Sequence, residues 1–228
     1  MENLLRSNFI ICNQVNDEMK TFLKEGAGNF FSELEKYIKE NQDEGMLHYA
    51  TENTLASLFF AGNLRRNDAL TGLQEYGIFY LKDGKDVKGQ PDIFMKSGNK
   101  AIWIECKYDK DMLPLGDEHW NIPGWLKWDE EKPLSQVKLY YQSEATKLNN
   151  TYRQRFLVTL CFKLIKEKIE SHFKSVQENL ETEKSNHHER GWYYQVGFFT
   201  GLDDKGKNLG LEVYGTCSDD LSNDNKLI

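Results

Sequence analysis

No stretch of this chain approaches the roughly eighteen consecutive apolar residues that a membrane-spanning helix needs, so no such helix is expected. The opening run, MENLLRSNFIICNQ, has too short an apolar segment and no small-residue cleavage site for a secretory signal. Cysteine is sparse: Cys12, Cys106, Cys161 and Cys217 lie far apart and form no CxxC pair. Scattered buried thiols in a reducing cytoplasm are the expectation, not a disulfide framework. Repeats, low-complexity tracts and a linker that would split the chain are lacking too. The 228 residues therefore read as one domain, long enough to bury a substantial core.

Positive charge is also in deficit, with 29 Lys and Arg against 36 Asp and Glu and a net charge of −7. Most nucleic-acid binders carry a basic surface, so this balance counts modestly against one. Net charge is a global sum, whereas phosphate binding is local. Between Leu81 and Lys110 seven lysines stand against five acids, a small positive island in an acidic chain.

Aromatic residues, by contrast, are plentiful, and apolar periodicity divides the chain into elements. A helical pattern runs from about Val15 to Gln42 and is expected to break at Gly26-Ala27-Gly28, with Phe30, Phe31, Leu34, Tyr37 and Ile38 on one face. A further helix is predicted from about Met46 to Asn63. Leu73 to Leu81 reads as a strand followed by a turn-rich stretch, Lys82 to Asp86. Strands at Pro91–Lys96 and Ala101–Tyr108 come next. Beyond a long irregular stretch, a helix is predicted over Leu134–Leu148, opened by Pro133. A short strand at Phe156–Phe162, a charged amphipathic helix from Leu164 to about Glu183, and strands at Trp192–Thr200 and Leu209–Thr216 complete the order.

The segment richest in chemistry is GQPDIFMKSGNKAIWIECK, residues 89–107. Gly98-Asn99 between two β-rich runs signals a two-residue hairpin turn, with Gly supplying the positive φ such turns require. That turn sets Lys96 opposite Ala101, Phe94 opposite Trp103 and Asp92 opposite Glu105. Side chains alternate along a strand, so Asp92, Glu105 and Lys107 share a face, and Ile93, Met95, Ile102, Ile104 and Cys106 form the other. A one-residue slip would bury both carboxylates and expose the apolar set, which fixes the register. Facing carboxylates repel unless a cation lies between them, and Mg²⁺, which prefers carboxylate oxygen and water, suits the position. Lys107 would stand where it can orient a water and stabilise developing negative charge.

Acidic-x-Lys alone carries no weight, because composition predicts roughly four chance copies and decoys exist at Asp83-x-Lys85, Asp86-x-Lys88 and Glu130-x-Lys132. Glu105 differs in having an apolar strand before it and a Pro-Asp facing it. Pro91-Asp92 followed by Glu105-Cys106-Lys107 resembles the PD-(D/E)xK nuclease superfamily, over residues 46–162, about half the chain. The resemblance implies an α/β fold with a restriction-endonuclease-like core: a central mixed sheet flanked by helices in αβββαβ order, with N-terminal helices and extra C-terminal strands. It implies a single nuclease domain, with residues 1–45 a helical extension, 46–162 the catalytic core and 163–228 a helix plus strands.

The same resemblance implies that Asp92 and Glu105 ligate Mg²⁺, with Mn²⁺ able to substitute, that the Cys106 carbonyl is a further ligand, and that Lys107 orients the attacking water. Glu52, in Thr51-Glu52-Asn53, matches the Glu that family members place on the preceding helix and joins the metal and catalytic set. Gly89-x-x-Asp92 and Gln136-x-x-x-Tyr140 resemble motifs of the RecB-like branch, which makes Gln136 a catalytic candidate; His48, one turn before Glu52, matches a metal-binding His of that branch. The four-cysteine pattern of its iron–sulfur members is not present, so no cluster is expected.

The expected activity is Mg²⁺-dependent endonuclease or other phosphodiesterase action on DNA, in a restriction, repair or phage-defence setting. DNA is the expected partner, RNA and a homodimer stay open, and no membrane is expected. The competing readings are a silent nucleic-acid-binding or assembly module of the same fold, or an RNA nuclease. In blander terms, Asp92, Glu105 and Lys107 form an exposed ion-pair cluster, Glu52 is an ordinary helix position, Gln136 and Tyr140 are helix surface and core, and His48 is structural. Trp120, Trp125 and Trp128 sit in a long loop with seven acids against three lysines over Asp109–Lys132, and are expected to pack as a satellite core or subunit contact.

Overall fold

The computed structural model describes residues 4–11, 17–41, 46–75, 78–82, 85–89, 91–109, 154–166, 178, 181–182, 191–199 and 209–217. Its elements run β1 (Leu4–Ile11), α1 (Asp17–Asn41), α2 (Met46–Tyr49), α3 (Glu52–Arg66), β2 (Thr71–Gln74), β3 (Ile78–Lys82), β4 (Lys85–Gly89), β5 (Ile93–Ser97), β6 (Lys100–Asp109), β7 (Gln154–Lys166), β8 (Gly191–Phe199) and β9 (Leu209–Cys217). Seven strands form one sheet in the order β1-β8-β9-β7-β6-β5-β2, and β3 and β4 pair as a separate hairpin. The β6–β7 pair is parallel and the other pairs are antiparallel, so this is a mixed α/β sheet. No helix among the described residues is long and apolar enough to cross a membrane.

One face of the central strands is apolar without interruption. Ile93 and Met95 of β5, Ile102, Ile104 and Cys106 of β6, and Phe156, Val158 and Leu160 of β7 pack against Leu23, Phe30, Leu34, Leu55 and Phe59 of α1 and α3. The Phe30 ring joins the layers, 5.0 Å from Phe162 and 6.4 Å from Phe59 between centroids. The opposite face is buried as well, at Phe94, Ala101, Trp103 and Cys161. Strands buried on both faces are the habit of sheets with parallel pairing.

The expected break in α1 does not occur: the helix runs unbroken from Asp17 to Asn41. Asp17 and Glu18 in its first turn and Lys39 in its last complement the helix dipole. The small residues serve the crossing with α3. A Cβ on Gly26 would lie 3.0 Å from the Phe59 ring, and one on Gly62 of α3 would lie 2.8 Å from the Asn29 carbonyl oxygen. Buried Asn63 ties the helices further by donating to the Gly26 carbonyl of α1 at 3.2 Å, while it also donates to the Phe59 carbonyl of its own helix at 2.8 Å. Glu33 of α1 holds Arg65 and Arg66 of α3.

Gly62→Ala is expected to destabilise the protein by about 1–2 kcal/mol, because overpacking against backbone outweighs a helix-propensity gain of about 1 kcal/mol. Gly28→Ala, where nothing lies within 4 Å of the new methyl, is expected to stabilise instead. Urea denaturation of the two variants checks the opposite signs.

Several expected boundaries shift. The helix predicted over Met46–Asn63 is two helices, because Thr51 adopts extended backbone and caps α3. Its hydroxyl accepts from the Thr54 amide at 3.2 Å, while Thr54 reciprocates toward the Thr51 amide. The strand expected over Leu73–Leu81 is split into β2 and β3. Glu75 turns the chain between them with φ +48°, and the turn-rich stretch belongs to the β3–β4 hairpin. The helix expected from Leu164 is contradicted at its start: β7 continues to Lys166, since Leu164, Ile165 and Lys166 pair with Leu211, Gly210 and Leu209. The N-terminal extension is not purely helical, because β1 pairs with β8 at the sheet edge. The helix predicted over 134–148, with Gln136 and Tyr140, and the tryptophans at 120, 125 and 128 lie outside the described residues.

Candidate active site

The β5–β6 hairpin has the register that the sequence implies: Lys96 pairs with Ala101 and Phe94 with Trp103, and Gly98 has φ +55°. Pairing ends at Ile93 with Ile104, one step short of the expected Asp92–Glu105 opposition, yet β6 continues to Asp109. Beyond that point β6 has outrun β5, though it stays paired with β7, and its amides on the β5 side need other acceptors. Side-chain carboxylates supply them. The Cys106 amide donates to Asp92 Oδ2 at 2.6 Å, and the Tyr108 amide donates to Glu52 Oε2 at 3.1 Å. Asp92 is fixed from its other side by its carbonyl, which accepts from the Glu75 amide at 3.0 Å.

Lys107 sits among these acids. Its ammonium donates to Glu105 Oε1 at 2.9 Å, to Glu52 Oε1 at 3.4 Å and to the Cys106 carbonyl at 2.7 Å. Glu52, at the N-terminus of α3, thus bridges helix and strand. The Tyr108 hydroxyl, donating to the Leu47 carbonyl at 3.0 Å, fastens α2 to the same strand. The structure therefore brings Asp92, Glu105, Lys107 and Glu52 together at one end of the hairpin. For His48 it places the backbone in α2, beyond the helix break from Glu52.

Electrostatics at this end are unbalanced. Burial pushes the Glu105 carboxyl up to about 7, and the Asp92 charge adds to the rise against the pull of Lys107. Burial also raises Asp92, with the Cys106 amide and Lys107 opposing and Glu52 and Glu75 reinforcing. Burial works to lower Lys107, but the Glu105 charge and hydrogen bond, with Glu52 and Asp92, outweigh it and raise the group. The Cys106 thiol is driven well up by burial, so this cysteine is an inert core group. Tyr108 is raised to about 12 by burial. Carboxylates held close and desolvated in this way favour either a proton or a metal cation.

A polar cleft of about 230 Å³ opens beside Asp92, lined by Asn53, Ala56, Ser57, Gln74 and Glu75. That space accommodates several waters, which a hydrated divalent ion or a phosphate requires. Glu105 Oε2 is buried without a hydrogen-bond partner among the described residues. Among those residues no three His, Cys, Asp or Glu side chains converge on one metal position. Mg²⁺ commonly binds through only one or two carboxylates and keeps several waters, so the chemistry of Asp92 and Glu105 suits it; of the two, Asp92 lines the cleft. Both Glu52 oxygens and the Cys106 carbonyl already accept hydrogen bonds from the protein.

The structure adds residues that pattern reading passed over. Glu75 faces the cleft and accepts from the Asn53 amide group at 3.3 Å; only its left-handed backbone marks it, and no sequence signal precedes that bend. The buried carboxylate face continues across β7 and β9. Thr159 pairs with Glu105, and Glu212 pairs with Lys163. All of them are buried. Lys163 between Phe162 and Leu164, and Glu212 between Leu211 and Val213, show the apolar flanking that would have revealed a charged residue inside a core strand. Known protein families, curated proteins and solved structures provide no match to this chain.

Proposed function

We propose that this chain is a divalent-metal-dependent nuclease of the restriction-endonuclease-like class, hydrolysing phosphodiester bonds in DNA. The observation that carries the reading is the nearness of two desolvated carboxylates, Asp92 and Glu105, each raised by burial, with Lys107 beside them and one Glu105 oxygen unpartnered among the described residues. When bound, Mg²⁺ supplies Lewis acidity toward a phosphoryl oxygen and acidifies water, and Mn²⁺ substitutes for it.

The protein's own groups do the rest. Asp92 and Glu105 hold the cation, each already oriented by a hydrogen bond to β6 or Lys107. Lys107, locked by three acceptors, presents positive charge where negative charge builds on the scissile phosphate. Glu52 keeps that ammonium from swinging away. Gln136 belongs to the proposed catalytic set on the family resemblance, which is also the sole support for a restriction, repair or phage-defence setting.

A second reading has its own observation. Asp92 and Glu52 cap the end of β6, a structural duty that needs no metal, and a catalytically silent nucleic-acid-binding module would keep them for it. Asp92→Asn separates the two. The amide retains an acceptor for the Cys106 N–H, so the fold persists. Mn²⁺ affinity measured by calorimetry is expected to fall at least about tenfold. Wild-type protein that binds no Mn²⁺, with or without DNA, favours the silent module. Incubation with Mg²⁺ or Mn²⁺ and a panel of single-stranded, duplex, nicked and branched DNA, with matched RNA, tests the activity itself.

A further inference from the structure

Two orphaned polar atoms lie side by side on the buried carboxylate face. Parallel pairing of β6 with β7 sets Thr159 next to Glu105. Paired residues on neighbouring strands point to the same side of a sheet, so the Thr159 hydroxyl shares the face of the carboxylate. Thr159 is 1% exposed and Glu105 5%. Neither Thr159 Oγ1 nor Glu105 Oε2 has a hydrogen-bond partner among the described residues, and they do not bond each other.

This combination points to a shared ligand. A buried hydroxyl both donates and accepts, whereas an ionised carboxylate oxygen only accepts. One water that accepts from Thr159 and donates to Glu105 satisfies both, and buried waters serve this role between polar groups. Valine at position 159 would fill nearly the same volume and suit a core strand without leaving a hydroxyl to satisfy.

We propose that Thr159 is a positioning residue of the metal centre, whose hydroxyl holds one lone pair of the buried Glu105 oxygen through one water and so fixes the carboxylate for divalent-cation binding through a remaining lone pair. The inference rests on the metal-site reading above and adds to it a residue from β7. Groups that orient a metal's ligands change affinity without touching the ion.

The test uses the full chain without nucleic acid. Mn²⁺ binding is measured by calorimetry, and the resonance spectrum of bound Mn²⁺ is recorded, for wild type, Thr159→Val and Thr159→Ser; thermal unfolding in EDTA is followed in parallel. Thr159→Val is expected to bind Mn²⁺ about ten- to hundredfold more weakly, with an altered spectrum and an unfolding midpoint in EDTA that does not fall. Thr159→Ser, which keeps the hydroxyl, is expected to retain wild-type affinity. Wild-type affinity in Thr159→Val overturns the proposal, as does equal loss in both variants or a fall in affinity that merely follows a fall in midpoint. Failure of the wild type to bind Mn²⁺ at all is a different result, and it removes the metal site together with this inference.

Discussion

Replacing Lys107 with alanine is expected to leave a folded protein whose Mg²⁺-dependent cleavage is reduced by about 10²–10³-fold, the usual effect of deleting one donor aimed at developing negative charge. Lys107 contacts Glu105, Glu52 and the Cys106 carbonyl, so its loss also leaves three acceptors without their donor. That costs stability, about 1–3 kcal/mol, because bonds to charged groups are stronger than neutral ones and this side chain is largely buried. The core face of β6 is untouched, since Ile104 and Cys106 point away from the substitution. Circular dichroism and a nicking assay on the same preparation separate the two effects. Undiminished cleavage by the variant, or full wild-type activity in EDTA, would falsify the mechanism.

A second large effect is expected from pH. Burial pushes the Glu105 carboxyl up to about 7 in the fold from the 4.5 of an ordinary glutamate, so the folded state favours its protonated form. A group raised in this way contributes stability that is complete below its unfolded pKa and is lost as pH climbs through its folded value. The metal-free protein is therefore expected to lose about 3 kcal/mol from this group between pH 4.5 and 7. Asp92 is raised too and works in the same direction. A divalent cation reverses the sign of the argument, because it binds the ionised carboxylates and competes with their protons. Urea unfolding at about pH 5 and about pH 8, with EDTA and then with Mn²⁺, measures both halves. Glu105→Gln should flatten the metal-free dependence. If the wild type shows the same flat profile as that variant, the electrostatic description of the site is wrong.

What sequence could reveal here follows the range of the interactions involved. The hairpin was legible because its turn, its alternation and its apolar face are all encoded within residues 89–107. That local code set Asp92, Glu105 and Lys107 near one another; the structure brings Lys107 onto Glu105 and sets the Asp92 carboxylate against the Cys106 amide just beyond the end of the β5–β6 ladder. The continuity of α1 through Gly26–Gly28 was not legible, since Gly26 answers to Phe59 of another helix and Gly28 faces open space, neither of which a local glycine signal reports. The break before Glu52 depends on Thr51 and Thr54 forming a reciprocal cap, a weaker motif than one with Glu or Gln. Pairing of β1 with β8 joins residues nearly the whole chain apart, and no short-range pattern announces it. The helical spacing of Ile165, Ile169, Phe173 and Val176 gave the end of β7 a helical look, whereas its pairing with β9 decided the outcome up to Lys166. Thr159 became visible only once the parallel register placed it beside Glu105.

The overhang of β6 beyond β5 has one more implication. Because Asp92 stitches a strand end with one oxygen, its rotamer is settled by chain folding and not by the arrival of a guest. Little conformational freedom remains to be surrendered on capture, which is how preorganisation raises affinity. Cation uptake at this end of the hairpin is thus expected to proceed at the pace of water exchange, with no slow phase from loop ordering.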